Sequence, residues 1–284
     1  MIPSLKVSNK SVLLNKKQWA LIKVLLSLAL IIFVVLGGLL LDEERIITNL
    51  TDRNKSPSLN HLFGTDWLGR DMFTRTVMGL SLSIGVGVIG AIGSASIALF
   101  LGMAAATMGK MADRVISWLI DLFLSVPHLV TLILIAFTLG GGFKGIVIGL
   151  ALTHWPSLAR VIRAEVMQIR SADFVQVSKK MGKPSWWIAL RHILPYVAPQ
   201  FIIGFLLMFP QVILHEAAVT FLGLGLSPHE PAIGIILSES MKYLSSGMWW
   251  LAFFPGLCLL IVVRTFDQIG EYLRLLMDST GNHD

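Results

Sequence analysis

The sequence of 284 residues contains a single cysteine and few charged residues. Cys258 lies within an apolar run, so a disulfide framework is excluded. Charged residues make up 14% of the chain, whereas soluble domains carry roughly 25%. In a soluble protein, the net charge of +6 would suggest a nucleic-acid surface. Here 55% of the residues are hydrophobic, and the charges are confined to the gaps between apolar runs, which indicates a membrane protein without a nucleic-acid partner.

Two enzymatic signatures are also missing. The P-loop pattern GxxxxGKS/T does not occur, so any ATP hydrolysis has to come from a partner chain. His215-Glu216 begins like the zinc-protease pattern HExxH, but Val219 stands where the second histidine would be. An intramembrane protease is therefore the weaker alternative, and we assign no catalytic residue, no cofactor and no fixed metal site.

The sequence is rich in long uncharged stretches. A bilayer core of ~30 Å needs about 20 residues of helix. Five stretches are long enough, and a shorter sixth can borrow residues from its flanks. They are Val24–Leu41, Thr76–Gly109, Leu122–Phe143, Gly145–Ala159, His192–His215 and Tyr243–Val263. The sequence therefore predicts an all-α, polytopic membrane protein with about six transmembrane helices.

The distribution of lysine and arginine predicts the orientation. With a cytoplasmic N-terminus and six spans, 16 of the 23 basic residues lie inside and 7 outside, as the positive-inside rule requires. Both termini are then cytoplasmic. The first span ends in acidic residues without a small-residue cleavage site, so we interpret it as an uncleaved anchor. The prediction is a tail at 1–18, a permease domain at 19–284, spans at 19–41, 81–108, 115–139, 143–158, 197–219 and 249–269, and an inner loop at 159–196.

Small residues recur every four positions along the second predicted span. This spacing places them on one helix face, where they let a neighbouring helix approach closely. We predict a helix–helix interface there, the alternative being a flexible stretch used in gating. The residues are Gly90, Ser94, Ala98, Gly102 and Ala106.

The inner loop has ordered helix start and stop signals. Asp173 is placed to cap a helix that starts at Phe174, Gly182 to supply a left-handed C′ position at its end, and Pro184 to block continuation. A second helix, starting at Ser185, is expected to end near residue 193, because Pro195 disfavours helical geometry before it. The loop therefore predicts a cytoplasmic helix–turn–helix, the alternative being a basic loop that only sets topology.

Several polar groups fall in or beside the apolar spans, where they are costly and point to function. His128 and His154 fall in the third and fourth predicted spans, and His215 and Glu216 follow Pro210 in the fifth. Near the C-terminus, Arg264 and Asp267 are three residues apart and can pair. In the outer segment, the i,i+4 pairs Asp66/Arg70 and Asp71/Arg75 predict a short surface helix.

Three strings resemble one family of transport proteins. HLFGTDWLGRDMFTR at 61–75, FLGLGLSP at 221–228 and the segment Phe253 to Gly256 resemble the C-type permease subunits of ATP-binding-cassette importers for dipeptides, oligopeptides and nickel. The inner loop resembles that family's EAA loop, with Gly182 as its glycine. Its closing residues are Ile193, Leu194 and Pro195, and Gln176, Val177 and Ser178 replace the usual Glu-Ala-Ala.

Two further strings resemble the nickel-type branch. ALTHWPSLAR at 151–160 and LHEA at 214–217 each place a histidine in or near a span. On this resemblance we expect a transition metal or metal chelate as cargo, with His154, His215 and Glu216 as candidates for the substrate path. Because His215 and Glu216 are adjacent, they diverge by about 100° on a helix, so we expect His215 on the path and Glu216 as a brace against the partner permease. A di- or oligopeptide cargo is the alternative, and a channel or secondary transporter is the alternative of another class.

The family resemblance implies the partners. A second, B-type permease would complete a heterodimer in the bacterial inner membrane. Two cytoplasmic ATP-binding subunits would dock on the inner loops, and an extracytoplasmic binding protein would deliver the substrate. The helix at 173–182 would transmit the motion of the ATPases to the spans.

Overall fold

The chain is helical throughout the part that the structure describes. The computed structural model describes residues 10–278, in which the only β-pairing is an isolated bridge between Thr65 and Asp71. The all-α prediction is confirmed. The α-helices are α1 (Lys10–Leu40), α2 (Met72–Thr107), α3 (Lys110–Ser125), α4 (His128–Thr138), α5 (Gly142–Thr153), α6 (Trp155–Arg170), α7 (Asp173–Lys180), α8 (Ser185–Ile188), α9 (Leu194–Phe221), α10 (Ile233–Met241) and α11 (Trp250–Asp278).

Five helical segments are long and apolar enough to cross a membrane, and there are six if the bent pair of α3 and α4 is counted as one span. This agrees with the predicted polytopic architecture. The boundaries differ at the first span, because α1 begins at Lys10 and takes in the second half of the predicted tail at 1–18. Residues 1–9 of that tail and residues 279–284 lie outside the described part of the chain.

The third predicted span is broken in the middle. Helices α3 and α4 meet at 97°, so 115–139 is not one straight helix as predicted. The break lies at Val126 and Pro127. A residue before proline is pushed out of the helical region, and Val126 is accordingly extended, with φ −95° and ψ 139°. The chain therefore turns sharply just before His128, the first residue of α4.

The fourth span is longer than predicted. Helices α5 and α6 form one membrane-crossing segment, Gly142–Arg170, that is interrupted only at His154. Pro156 accounts for the interruption, because it cannot donate to the helix ladder and is tolerated only in the first turn of α6. The span thus extends beyond the predicted 143–158 and takes the first part of the predicted inner loop into helix.

Helix α2 occupies the centre of the bundle and packs against α1, α5, α6 and α9. All five members of its small-residue stripe are buried. A Cβ added at Gly90 would lie 2.9 Å from Leu150 Cβ, and one at Gly102 would lie 2.9 Å from Ala159 O. The stripe therefore lets α5 and α6 approach within the same chain.

The outer segment after α1 is held by a buried ionic network instead of the predicted surface helix. Asp66 is fully buried, and its carboxylate accepts from Arg70 Nε at 2.7 Å and Arg75 Nη1 at 2.8 Å. Arg75 Nη2 also donates to Glu239 Oε2 at 2.9 Å. Asp71 does not pair with Arg75 but caps α2, accepting from Thr74 N at 2.9 Å. The pairs that indicated a surface helix instead fold a loop onto the bundle.

The outer loop after α9 contains a helix that the sequence analysis did not assign. Helix α10 packs against α9 and α11, with Ile233 and Ile236 fully buried. It also carries Glu239, the distant partner of Arg75. In α11, Arg264 and Asp267 do pair, at 3.7 Å, as predicted.

Candidate functional site

A cavity of about 330 Å³ lies along the flank of α9. Its walls come from residues 123–128 at the α3–α4 bend, residues 153–161 at the α5–α6 break and residues 200–215 of α9, with Arg274 of α11 also lining it. The α9 wall alone extends roughly 22 Å, at 1.5 Å per residue. The cavity therefore follows more than half of α9, which has 28 residues.

Three histidines converge in this cavity. His128, His154 and His215 each offer one ring nitrogen, and these three atoms lie within 4.8 Å of one another. The centroid of the His128 ring lies 4.2 Å from that of His154 and 4.4 Å from that of His215. His154 Nε2 lies 3.1 Å from His215 Nδ1. The group is one that could hold a metal ion, which the sequence analysis did not anticipate.

Breaks in two helices place these side chains. His128 starts α4 directly after the Pro127 bend, and His154 is the single residue between α5 and α6. His215 lies in the continuous helix α9. Sequence reasoning listed His128 among the polar groups within the spans but chose only His154 and His215, with Glu216, as candidates for the substrate path. The one signal for His128 was its position after a proline in an apolar span.

Hydrogen bonds set the tautomer of the most buried of the three rings. His154 Nδ1 lies 3.2 Å from the carbonyl oxygen of Leu150. Because a carbonyl can only accept, Nδ1 carries the ring proton and Nε2 presents a lone pair towards His215. Within the described part of the chain, neither ring nitrogen of His128 makes a hydrogen bond of good geometry, and the backbone of Thr153 is its one weak partner. The three rings therefore differ in how many of their nitrogens are hydrogen-bonded.

Glu216 points away from this cavity. Its side chain is fully buried, and Oε1 accepts a hydrogen bond from Thr220 Oγ1 at 2.9 Å. The adjacent His215 lines the cavity, as the divergence of neighbouring helical residues requires. Glu216 is buried inside this chain, where α9 packs against α2, so the expectation that it braces the helix against the partner permease is wrong, and a path role for His215 stays a prediction.

The cytoplasmic helix–turn–helix that we predict to transmit the motion of the ATPases lies within residues 173–195, and we call it the coupling segment. The start of its first helix differs from the prediction, whereas the end of that helix agrees with it. Helix α7 starts at Asp173 with Ala172 as its N-cap, and no side chain caps it, so Asp173 is a first-turn acid and not the cap. At the other end, Gly182 has φ +76°. The Gly182 amide donates to Lys179 O and the Lys183 amide to Ser178 O. This is the Schellman pattern that a left-handed C′ glycine makes.

The second helix of the segment does not stop at Ile193. It begins at Ser185 as predicted but continues through a π-helical turn, Ala189–Ile193, into α9, so Ser185–Phe221 is one segment. Pro195 is tolerated in the first turn of α9 because the wider π-turn precedes it. Leu194 therefore lies inside a continuous helical segment instead of after the end of a helix.

The coupling segment exposes an apolar surface. Val177 is 54% exposed, Met181 71% and Trp186 65%. Val175 is buried, and Gln176 Nε2 donates to Arg170 O at 2.8 Å. Ser178 Oγ lies 2.9 Å from His192 Nε2. One side of the segment is thus held against the rest of the chain by its buried and hydrogen-bonded residues, and the other side exposes apolar side chains.

Comparison with known proteins supplies the family. Residues 98–275 match the family described as the binding-protein-dependent transport system inner membrane component. The chain is 31% identical to the dipeptide transport system permease protein of Bacillus subtilis, over 93% of this chain and 83% of that protein. It is 33% identical to the protein of the same description from Alkalihalophilus pseudofirmus, over 93% and 87%. It is 29% identical to the oligopeptide transport system permease protein of B. subtilis, over 96% and 92%.

The match runs from the last part of α2 through α10 and most of α11, and it includes the cavity walls and the coupling segment. The relatives extend the similarity to nearly the whole chain. Six apolar helical segments, a shaped inner segment and no nucleotide-binding motif are all consistent with this assignment. The chain therefore belongs to the family of inner membrane components of binding-protein-dependent transport systems, as a permease subunit of an ATP-binding-cassette importer.

Proposed function

We propose that this permease subunit lines the translocation path of an importer for di- or oligopeptides. The observation that carries the proposal is the similarity, over 93% of the chain, to two permeases named for dipeptide transport. The expectation of a nickel-type permease is not supported by these relatives, which are named for peptides. The cavity along α9 is large enough for a small peptide and is lined by polar groups as well as apolar ones.

The partners follow from the same family. A second permease subunit would close the open side of the cavity, a binding protein outside the membrane would deliver the peptide, and two ATP-binding subunits would attach at the cytoplasmic face. The exposed apolar residues of the coupling segment support that attachment, because an ATPase surface would bury them. We place both termini in the cytoplasm of a bacterial cell, from the distribution of basic residues.

A second candidate cargo is a transition metal or metal chelate. One observation favours it, namely the convergence of His128, His154 and His215 on the cavity. A channel or secondary transporter is set aside because the chain belongs to a family whose transport depends on a binding protein.

Uptake measurements in a strain that lacks this chain separate the two cargoes. We expect uptake of a radiolabelled dipeptide to be lost on deletion and restored by the wild-type gene. Dipeptide uptake that persists after deletion, together with lost accumulation of radioactive nickel, would instead establish the metal importer.

A further inference from the structure

We propose that His128, His154 and His215 form a binding site for one divalent transition-metal ion inside the cavity. The inference rests on the proposed function only in treating this cavity as the substrate path. The site itself is argued from the geometry of the three rings.

The spacing of the rings suits a shared ion. Imidazole nitrogens bind Zn²⁺ and similar ions at about 2.1 Å, so two nitrogens on one tetrahedral ion lie about 3.4 Å apart. His154 Nε2 and His215 Nδ1 are 3.1 Å apart, and the three ligand atoms lie within 4.8 Å. Closing the most distant pair from at most 4.8 Å to about 3.4 Å completes a three-nitrogen site.

His154 is already oriented as a metal ligand. Its Nδ1–H donates to Leu150 O, and Thr153 Oγ1 lies 3.3 Å from the same nitrogen. Metal-bound histidines commonly donate their second ring N–H to a backbone carbonyl or carboxylate, which fixes the ring and the tautomer. The lone pair of His154 Nε2 is thereby aimed at the other two rings.

A purely structural role explains two of the rings and not the third. A hydrogen bond between His154 and His215 satisfies both in the absence of metal. Both ring nitrogens of His128, however, are shielded from solvent and make no hydrogen bond of good geometry among residues 10–278, and its one backbone acceptor, the carbonyl of Thr153, can satisfy at most one of them. Buried polar groups are nearly always bonded, so an ion shared with the other two rings would complete the bonding of His128.

The donor set selects the class of ion. Three neutral imidazoles suit cobalt, nickel, copper or zinc, whereas magnesium and calcium prefer oxygen ligands. Glu216, the nearest carboxylate in sequence, is fully buried and does not line the cavity. Three protein ligands leave at least one coordination position open towards the cavity. That position would accept a donor from the cargo, such as the amine or carboxylate of a peptide that carries the ion.

The test uses Co²⁺, whose visible d–d absorption reports imidazole ligation in a low-symmetry site. The assembled transporter, purified in detergent, is titrated with CoCl₂ alone and with CoCl₂ premixed with glycylglycine. We expect saturation at one Co²⁺ per copy of this chain. We expect affinity to fall at least about tenfold in each of His128→Ala, His154→Ala and His215→Ala, since loss of outer-shell partners alone costs 10–100-fold. His229→Ala, in an exposed outer loop, is the matched control and should bind as the wild type does.

The two cobalt titrations and the dipeptide uptake assay distinguish failure of the metal site from failure of the proposed function. Tighter binding with glycylglycine supports an ion that arrives on its cargo, and equal binding supports an ion bound on its own. Absence of the absorption band in wild-type transporter, or its persistence when all three histidines are replaced, overturns the site. Because dipeptide uptake is measured separately, a transporter that moves dipeptide but binds no cobalt refutes this inference and leaves the proposed function standing.

Discussion

The buried carboxylate of Asp66 allows the sharpest test of the outer segment. Asp66→Asn preserves the shape of the side chain and its ability to accept from the backbone amides of Leu68 and Arg70, both at 2.9 Å. It removes the negative charge that faces Arg70 and Arg75, whose side chains are 17% and 5% exposed. Arg75 then retains only Glu239 as a counter-charge, at 2.9 Å.

The size of the effect follows from burial. Removing one partner of a buried ion pair costs about 3–5 kcal/mol, and here two arginines would be left to share Glu239, which lies 2.9 Å from Arg75 and 3.4 Å from Arg70. For a chain of this size, 1 kcal/mol shifts the melting temperature by about 2–4 °C, so we expect Asp66→Asn to lower it by roughly 6–20 °C. The assay is thermal unfolding of the detergent-purified transporter, followed by loss of the monodisperse peak after heating.

Asp52→Asn is the matched control for this experiment. Asp52 lies in the same outer segment and pairs with Lys55, but their side chains are 29% and 49% exposed. Exposed pairs contribute little because water and salt screen them, so this variant should melt close to wild type. Equal melting temperatures for wild type and Asp66→Asn, or equal losses for the two variants, would refute the assignment of Asp66 as the centre of a buried network.

Three further predictions concern glycines. Gly182→Val should abolish the stimulation of ATPase activity by loaded binding protein. A residue with a Cβ in the left-handed conformation raises the free energy of the folded state by about 1–2 kcal/mol, which would change the shape of the coupling segment. Gly247→Val is the control, because Gly247 is also left-handed and has no close neighbours, and this variant should keep the stimulation. Gly102→Leu should reduce the yield of folded chain in membranes, since its Cβ would meet Ala159 O at 2.9 Å, whereas Gly85→Leu points into open space and should not. Gly69→Ala should destabilise the outer segment in the melting assay, because φ is +77° and the new Cβ would lie 1.7 Å from Asn49 O; unchanged melting would contradict that.

The membrane helices and one helix stop could be predicted because each has a local cause. An uncharged run of about 20 residues has few alternatives to a transmembrane helix. Gly182 followed by Pro184 is a local stop signal, and the left-handed φ of +76° agrees with it. The four-residue spacing from Gly90 to Ala106 describes a helix face whatever that face contacts. The stripe alone could not tell that α5 and α6 of the same chain lie against it.

The outer segment shows why spacing can mislead. Asp66 and Arg70 are four residues apart, which is equally compatible with a helical surface pair and with a folded loop. The choice between them depends on Glu239, which is 164 residues from Arg75 in sequence. The wrong prediction of a surface helix therefore has the same cause as the missed helix α10. Glu239 of α10 supplies the carboxylate that pairs with Arg75 and helps to hold the loop against the bundle.

The histidine cluster depends on helix breaks whose consequences are three-dimensional. Pro127 and Pro156 each signal a local interruption, but their sequence positions do not reveal that the α3–α4 bend and the α5–α6 break face the same stretch of α9. In a straight third span, His128 would lie in the middle of one helix. The 97° bend instead places it at the start of α4, where the centroid of its ring lies 4.2 Å from that of His154. Helix breaks also free backbone polar groups, which membranes tolerate only where protein or a polar cavity surrounds them. The two interruptions line the same cavity, which is why we propose that the residues at the breaks meet the transported molecule.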